Sequence, residues 1–473
     1  MKFTRNEAYN SINTTEEWDV TIIGGGATGL GIAVDAASRG YKTLLVEMYD
    51  FAKGTSGKST KLIHGGIRYL ANGDIKLVKS ALKERGLIFQ NAPHVSSVQR
   101  FVIPSYSTFN TFKFLIGLKF YDWMAGSLRI GKSTLLNKNE VISKIPKVKE
   151  KGLKGGVQYY DGQFDDARLA INLAQTAIEH GATVLNYAEV TQITKGCTGR
   201  VNGLSFLDKT TDQAYTVKTK ALINATGIFV DEILKLDTAT HQNLIRPSQG
   251  THIVIDKKFL GNEYALMIPE TSDGRVMFGV PWHGKVLLGT TDTPVYENQI
   301  EPRPLEEEIE FILNTANDYL ENAPTRQDVL SIFAGLRPLA APKYGNGKST
   351  KEISRDHKLL QSDSGLISIT GGKWTTYRKM GEEAVDMAIK TAGLESRKCQ
   401  THHLAIHGST QEKRKGHWKV YGSDLQAIQA LSQMDPTLHE KLHENYDYTA
   451  AEVVRLQTKL DIFVQNLKED FVL

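Results

Sequence analysis

Apolar positions fall first into short continuous runs and later into helical periods. Between residues 18 and 47, the run 20–23 reads as a buried strand, 28–39 as a helix and 42–47 as a second buried strand, with Gly40 where a helix C-cap belongs. The stretch 165–190 repeats the alternation. Asp165 or Asp166 caps a helix, Gly181 ends it, and 183–187 is a strand. A further apolar run, 220–227, ends in small residues. Strands that alternate with helices predict a mainly parallel sheet covered by helices. From about 245 to 350 the texture changes to short runs such as 252–255, 276–280 and 286–292, separated by Gly, Asp and Pro turns, which predicts an antiparallel second domain. After 396 the chain is polar and helical, with Val453, Leu456, Leu460, Phe463 and Leu467 at helical spacing. The aromatic stretch 111–126 has the pattern of a core helix, and a membrane-surface helix is its alternative.

At 473 residues the chain has room for two or three domains, and its 40% hydrophobic and 23% charged residues are ordinary for a globular protein. Cys197 and Cys399 are its two cysteines, which excludes a disulfide framework and a Cys-rich metal site. The polar first twenty residues lack an export leader's apolar core, and no run of about 18 apolar residues follows, so a cytoplasmic protein is expected. A net charge of +4 spread over such a length argues against a nucleic-acid surface. Two basic clusters remain: Lys144, Lys147, Lys149, Lys151 and Lys154, then Lys413, Arg414, Lys415 and Lys419. Both read as solvated loops, with acidic lipid head groups as the alternative partner.

Gly24, Gly26 and Gly29 satisfy G-x-G-x-x-G directly after a strand and directly before a helix. Gly24 permits the tight turn, Gly26 lets a pyrophosphate approach the backbone at Ala27 and Thr28, and Gly29 lets helix pack on strand. Glu47 ends the next strand, where a carboxylate accepts bonds from a ribose diol. These features specify an adenine dinucleotide and leave FAD and NAD both open. Gly57-Lys58-Ser59 imitates the end of a P-loop, but that motif needs a glycine where Ala52 stands.

The segment 54–70, GTSGKSTKLIHGGIRYL, resembles the signature of the FAD-dependent glycerol-3-phosphate dehydrogenases and the related α-glycerophosphate oxidases. Four later segments match the same family in order: Ser248-Gln249-Gly250-Thr251-His252, Gly289-Thr290-Thr291-Asp292, the run 334–339, and Ser354-Arg355-Asp356 with the run 371–378. The resemblance covers roughly residues 18–395. It implies an α/β, glutathione-reductase-like fold: a Rossmann FAD-binding domain (1–100, 155–245 and 350–395), a mixed or antiparallel substrate domain (101–154 and 246–349), and a C-terminal helical module (396–473). FAD is then the implied cofactor, held by Gly24, Gly26, Ala27, Thr28, Gly29, Glu47, Thr55, Ser56, Ser59, Lys61, Leu62, His64, Gly66, Val190, Ala225, Thr226, Gly227, Gly335, Gly372, Lys373 and Thr375.

The reaction implied is oxidation of sn-glycerol 3-phosphate at C2 to dihydroxyacetone phosphate. A phosphate dianion needs fixed cationic donors, and the C2 hydroxyl needs a base as hydride leaves. By place in the matching motifs, Arg355 binds phosphate with Arg68 and Tyr69 as helpers, and Arg337 lies nearer the reacting carbon. His252 and His64 are both candidates for the proton, and Lys373 orients a substrate oxygen or steadies reduced flavin. The related oxidases commonly carry an insertion absent here, which favours a quinone acceptor over oxygen. No metal is expected. A homodimer and peripheral contact with the inner face of the cell membrane complete what the resemblance implies. Ile228-Phe229 replaces the family's usual Pro-Trp, Gly57-Lys58 departs from its pattern, and the last residues lack its Trp, Arg and Glu pattern.

Overall fold

The computed structural model describes residues 4–67, 70, 73–238, 243–340, 356–412, 414, 416–443 and 447–459. Trp18–Ile23 lies in the middle of the first sheet, parallel to Gln213–Asn224 on one side and to Thr43–Val46 on the other. Thr183–Leu185 extends the sheet beyond Thr43–Val46, Ile367–Thr370 extends it beyond Gln213–Asn224, and both run parallel. Lys358–Gln361 closes that edge antiparallel.

Both faces of this sheet are covered, which is why its strands read as unbroken apolar runs. Val20, Ile22 and Leu45 face a core built with the helices Ala27–Ser38, Asp166–Glu179 and Tyr377–Ala392. Ile23, Leu44 and Val46 face the opposite core, with Val230–Asp237 and the N-terminal helix Arg5–Thr14. The expected helix ends are present: Asp165 accepts from the Arg168 amide at 2.9 Å, and Gly40 and Gly181 follow their helices at φ 81° and 92°. Arg5–Thr14 was outside the sequence expectations. A capping box between Thr4 and Glu7 starts it, and Arg5 anchors it on Asp208 at 2.7 Å.

The second sheet is largely antiparallel. Its order is Thr293–Pro294, Ile245–Asp256, Lys285–Gly289, Met277–Trp282, Ala265–Ile268, Ser96–Ser105, Gly155–Phe164 and Leu62–Ile63. Val329–Ala340 pairs along Ile245–Asp256, and the helix Glu306–Tyr319 packs into the adjoining core. The expected mixed α/β architecture, with helices at the C-terminal end, is therefore present.

One helix departs from its sequence expectation. Thr108–Met124 buries Leu118 and Tyr121, but Phe109, Phe112, Ile116 and Trp123 are 76%, 58%, 70% and 71% exposed, and Phe120 stacks on Trp123. These aromatics form a surface stripe instead of core. No described helix is long and apolar enough to cross a membrane. In the C-terminal segment Tyr421, Leu425, Ile428 and Ala451 make a small core beside the helices Leu425–Met434 and Ala450–Lys459. The latter helix contains Val453 and Leu456, whereas Leu460, Phe463 and Leu467 lie outside the described residues. Lys413 and Lys415 also lie outside them, and Lys419 is not a solvated lysine: its ammonium reaches the Ser96 carbonyl and burial lowers its pKa.

Candidate active site

The carboxyl ends of the parallel strands open onto a cavity of about 590 Å³ whose opposite wall is the second sheet. Crevices at strand carboxyl ends are where open α/β sheets bind ligands. On the first wall Gly24 adopts φ 109°, and a Cβ there would stand 2.7 Å from the Ala225 carbonyl. Gly29 does not line the cavity. Its task is packing, since a Cβ would come within 1.8 Å of the Gly24 carbonyl. Gly26 is the N-cap of Ala27–Ser38 and offers no side chain, so the helix amides face the cavity. The Ala27 amide donates to the Ser56 hydroxyl at 2.9 Å. Glu47 accepts from the amides of Gly25 and Tyr49, which fixes its carboxylate at the strand end, and burial raises its pKa. A cradle of helix-terminal amides, missing Cβ atoms and one fixed acid fits a dinucleotide's pyrophosphate and ribose.

The Gly54 loop is stitched to distant segments. Thr55 donates to the Leu336 carbonyl at 2.5 Å, and the Trp374 indole donates to the Ser56 carbonyl at 2.8 Å. Lys58 pairs with Glu301. Ser59 and Lys61 both bond Asp166, at 2.6 Å each. Ser59 still borders the cavity, but Lys61, expected to hold cofactor, does not; its ammonium is spent on Asp166. Thr55, Ser56, Leu62, His64, Gly66, Val190, Ala225, Thr226, Gly227, Gly335, Gly372, Lys373 and Thr375 all line the cavity. The Thr375 hydroxyl sits 3.3 Å from both the amide and the carbonyl of His64, tying the two segments together.

The second wall carries the polar side chains. Antiparallel pairing puts Ser248 opposite Arg337 and Gly250 opposite Gly335. The Arg337 guanidinium lies against bare Gly250, where a Cβ would be 2.2 Å from Nη2. It donates to Thr290 Oγ1 at 2.8 Å and to the Gln249 carbonyl at 3.3 Å, with Asp292 at 3.6 Å. His252 lies over Gly289 in the same way and stacks on Phe333 at 4.9 Å. Its Nε2 is 2.9 Å from the Thr60 hydroxyl. Burial, with the positive charges of Arg337 and Lys61 adding to it, pushes the His252 imidazole down to about 3. The ring is neutral at ordinary pH.

His252, Arg337, His64 and Lys373 thus border one cavity. Arg68, Tyr69 and Arg355, the expected phosphate ligands, lie outside the described residues. Sequence reasoning missed Arg275 and Asp292. Arg275 lines the cavity, is gripped by Asp273 and stands 3.9 Å from Asp292, so Asp292 sits between two guanidinium groups. The Asp273-Gly274-Arg275 turn was the available signal. Elsewhere Glu382, Cys399 and His402 bring ligand-type atoms within 4.8 Å of one another, but the Arg378 guanidinium stands among them, 2.9 Å from Glu382 and 3.8 Å from the Cys399 sulfur.

Residues 19–378 match the family model described as FAD dependent oxidoreductase. Mitochondrial glycerol-3-phosphate dehydrogenase of Saccharomyces cerevisiae is 41% identical over 447 residues, covering 86% of this chain and 69% of that protein. Among solved structures, glycerol-3-phosphate dehydrogenase from Bacillus halodurans complexed with FAD superposes with a TM-score of 0.72 at 31% identity, over 96% of this chain and 77% of that one. The FAD-bound L-α-glycerophosphate oxidase of Mycoplasma pneumoniae shares the fold, with a TM-score of 0.64 at 18% identity over 82% and 98% of the two chains.

Proposed function

Because this chain belongs to the FAD-dependent oxidoreductases, within the group that includes the glycerol-3-phosphate dehydrogenases, we propose that it oxidises sn-glycerol 3-phosphate at C2 to dihydroxyacetone phosphate. The observation that carries this reading is the facing of two walls. A dinucleotide cradle at the strand ends looks across one cavity at Arg337 and His252 on the second sheet, and His64 and Lys373 border the same cavity. Bound FAD supplies the hydride acceptor for the C2 hydrogen.

The chain's own residues divide the work in this reading. Gly24, Gly26, Ala27, Thr28 and Glu47 hold pyrophosphate and ribose, while the Gly54 loop and Thr375 hold the flavin end. Arg355, Arg68 and Tyr69 bind the substrate phosphate. Arg337, aimed by Thr290 and the Gln249 carbonyl, stabilises the negative charge that grows on the C2 oxygen. The hydroxyl proton goes to His64. His252 is the poorer base, because protonating it would bury a cation beside Arg337 and Lys61; it serves as a neutral hydrogen-bonding partner. Lys373 orients the substrate oxygen from the opposite side.

The electrons pass to a quinone, and the protein works as a homodimer at the inner surface of a membrane. The helix Thr108–Met124 supports the membrane reading. Its exposed Phe109, Phe112, Ile116 and Trp123 share the helix with exposed Lys113 and Lys119, an aromatic and cationic surface that suits the head-group region of an anionic bilayer. Hydrogen peroxide released in step with substrate consumption would instead establish the oxidase. Purified protein should reduce a soluble quinone analogue with glycerol 3-phosphate and yield little peroxide. Light scattering during size-exclusion chromatography checks the dimer.

A further inference from the structure

Glu308 belongs to none of the roles assigned above, yet it stands directly behind the wall that carries Arg337 and His252. It lies in the first turn of Glu306–Tyr319, is 4% exposed, and both of its oxygens are engaged. Oε2 accepts from Gln249 Nε2 at 2.7 Å, from the Thr251 hydroxyl at 2.6 Å and from the Leu305 amide at 3.1 Å. Oε1 accepts from the hydroxyls of Thr291 at 2.8 Å and Thr293 at 2.7 Å. The Thr291 hydroxyl in turn accepts from the Thr251 amide at 2.9 Å, which locks the strand to the Gly289 loop.

These partners alternate with the cavity-facing residues. Gln249 and Thr251 flank Gly250, on which Arg337 lies, and Thr251 is the neighbour of His252. Thr291 flanks Thr290, the acceptor that aims Arg337, and Thr291 and Thr293 flank Asp292, the carboxylate beside it. In the strand Ile245–Asp256 successive side chains point to opposite faces, so Gly250 and His252 meet the cavity while Gln249 and Thr251 meet Glu308, and Thr291 borders the cavity while its hydroxyl bonds Glu308. Burial alone would raise the Glu308 pKa, but the bonds from Thr251, Thr293, the Leu305 amide and Gln249 outweigh it and keep the carboxylate ionised. An ionised acceptor binds hydroxyl and amide donors more strongly than a neutral one.

We infer that Glu308 is a positioning residue for the proposed oxidation: by holding Gln249, Thr251, Thr291 and Thr293 on one carboxylate, it sets the angle of the Arg337 guanidinium over the substrate. The inference rests on the proposed role of Arg337 and stays separable from it.

The test uses the full-length, FAD-loaded protein and the rate at which glycerol 3-phosphate reduces its flavin without oxygen. Glu308→Gln keeps the shape and removes the charge. It should retain FAD and the oxidised absorption bands while its reduction rate falls at least ~tenfold. Arg337→Lys should also slow reduction, and adding Glu308→Gln to it should change the rate less than ~twofold further, because the residue it aims is already gone. Thr293→Val removes one contact at the rim of the cluster and should give a smaller loss with the same non-additivity, which covers the case in which Glu308→Gln fails to fold. Multiplying losses in the double variants would overturn the inference, as would wild-type rates in Glu308→Gln. Wild-type flavin that glycerol 3-phosphate does not reduce would defeat the proposed function itself, and this inference with it.

Discussion

Gly250 and Gly289 decide where the two strongest polar side chains can lie. A methyl group at Gly250 would stand 2.2 Å from the Arg337 guanidinium, and one at Gly289 would stand 2.3 Å from the His252 ring. Gly250→Ala should therefore lower turnover by at least ~tenfold while FAD stays bound, because the displaced Arg337 loses transition-state contacts worth a few kcal/mol. Steady-state kinetics with a dye acceptor would read this, and an alanine variant with wild-type turnover would show that Arg337 does not need this platform. The two histidines separate by kinetics. His64→Asn should lower kcat sharply while FAD stays bound, whereas His252→Asn should lower kcat less and leave the acidic limb of kcat/KM in place, since His252 with a pKa of about 3 stays neutral throughout the range assayed. A limb that moves only with His252→Asn would reverse the assignment. The glycine turn and Glu47 were legible in the sequence because they belong to a local pattern with its own backbone requirement, and Arg337 through its place in a family motif, whereas Arg68 and Arg355 lie outside the described residues. The roles of Asp292 and Glu308 were not legible, because they depend on packing between segments far apart in the chain: Glu308, on a helix, is 59 residues from Gln249.

Elements differ in how well sequence pattern reports them. The first-sheet strands at 20–23, 42–47, 183–187 and 220–227 were legible as continuous apolar runs, whereas Ile367–Thr370 and the edge strand Lys358–Gln361 were not, and Asp165 and Gly181 marked a helix by its caps. The Thr108–Met124 helix was misjudged for a physical reason. A stripe of Phe, Ile and Trp at helical spacing has the same period whether it faces a core or an outside surface, and only tertiary packing tells them apart. Phe112→Glu together with Trp123→Glu should abolish co-sedimentation with anionic phospholipid vesicles and leave flavin reduction by glycerol 3-phosphate intact. Undiminished sedimentation would remove the proposed membrane face. The N-terminal helix carried a readable capping box, Thr4 to Glu7, but its docking depends on Asp208, which no local pattern reveals.

At the scale of the molecule, His407 fastens the C-terminal segment to the rest. Its ring bridges Glu179 at 2.6 Å, on the helix Asp166–Glu179, and Asp424 at 2.8 Å. Burial would lower its pKa, but the bonds and charges of Asp424 and Glu179 dominate and raise it to about 9. A group whose folded pKa is raised contributes its stabilisation in full below its unfolded pKa of about 6.5 and loses it as pH rises through the folded value. Proteolysis of the C-terminal segment should therefore accelerate as pH rises through about 9. His407→Gln should be susceptible already at pH ~7, where the native ring still carries its charge. Equal cleavage of both proteins at neutral pH would show that the bridge does not hold the segment.

The central claim, a flavin cradle facing a glycerol-phosphate site across one cavity, is tested most directly by mixing purified protein anaerobically with glycerol 3-phosphate and recording the visible spectrum. The account predicts an oxidised-flavin band that bleaches on mixing and returns when a quinone analogue is added. A protein that carries FAD but keeps its band under those conditions would contradict it.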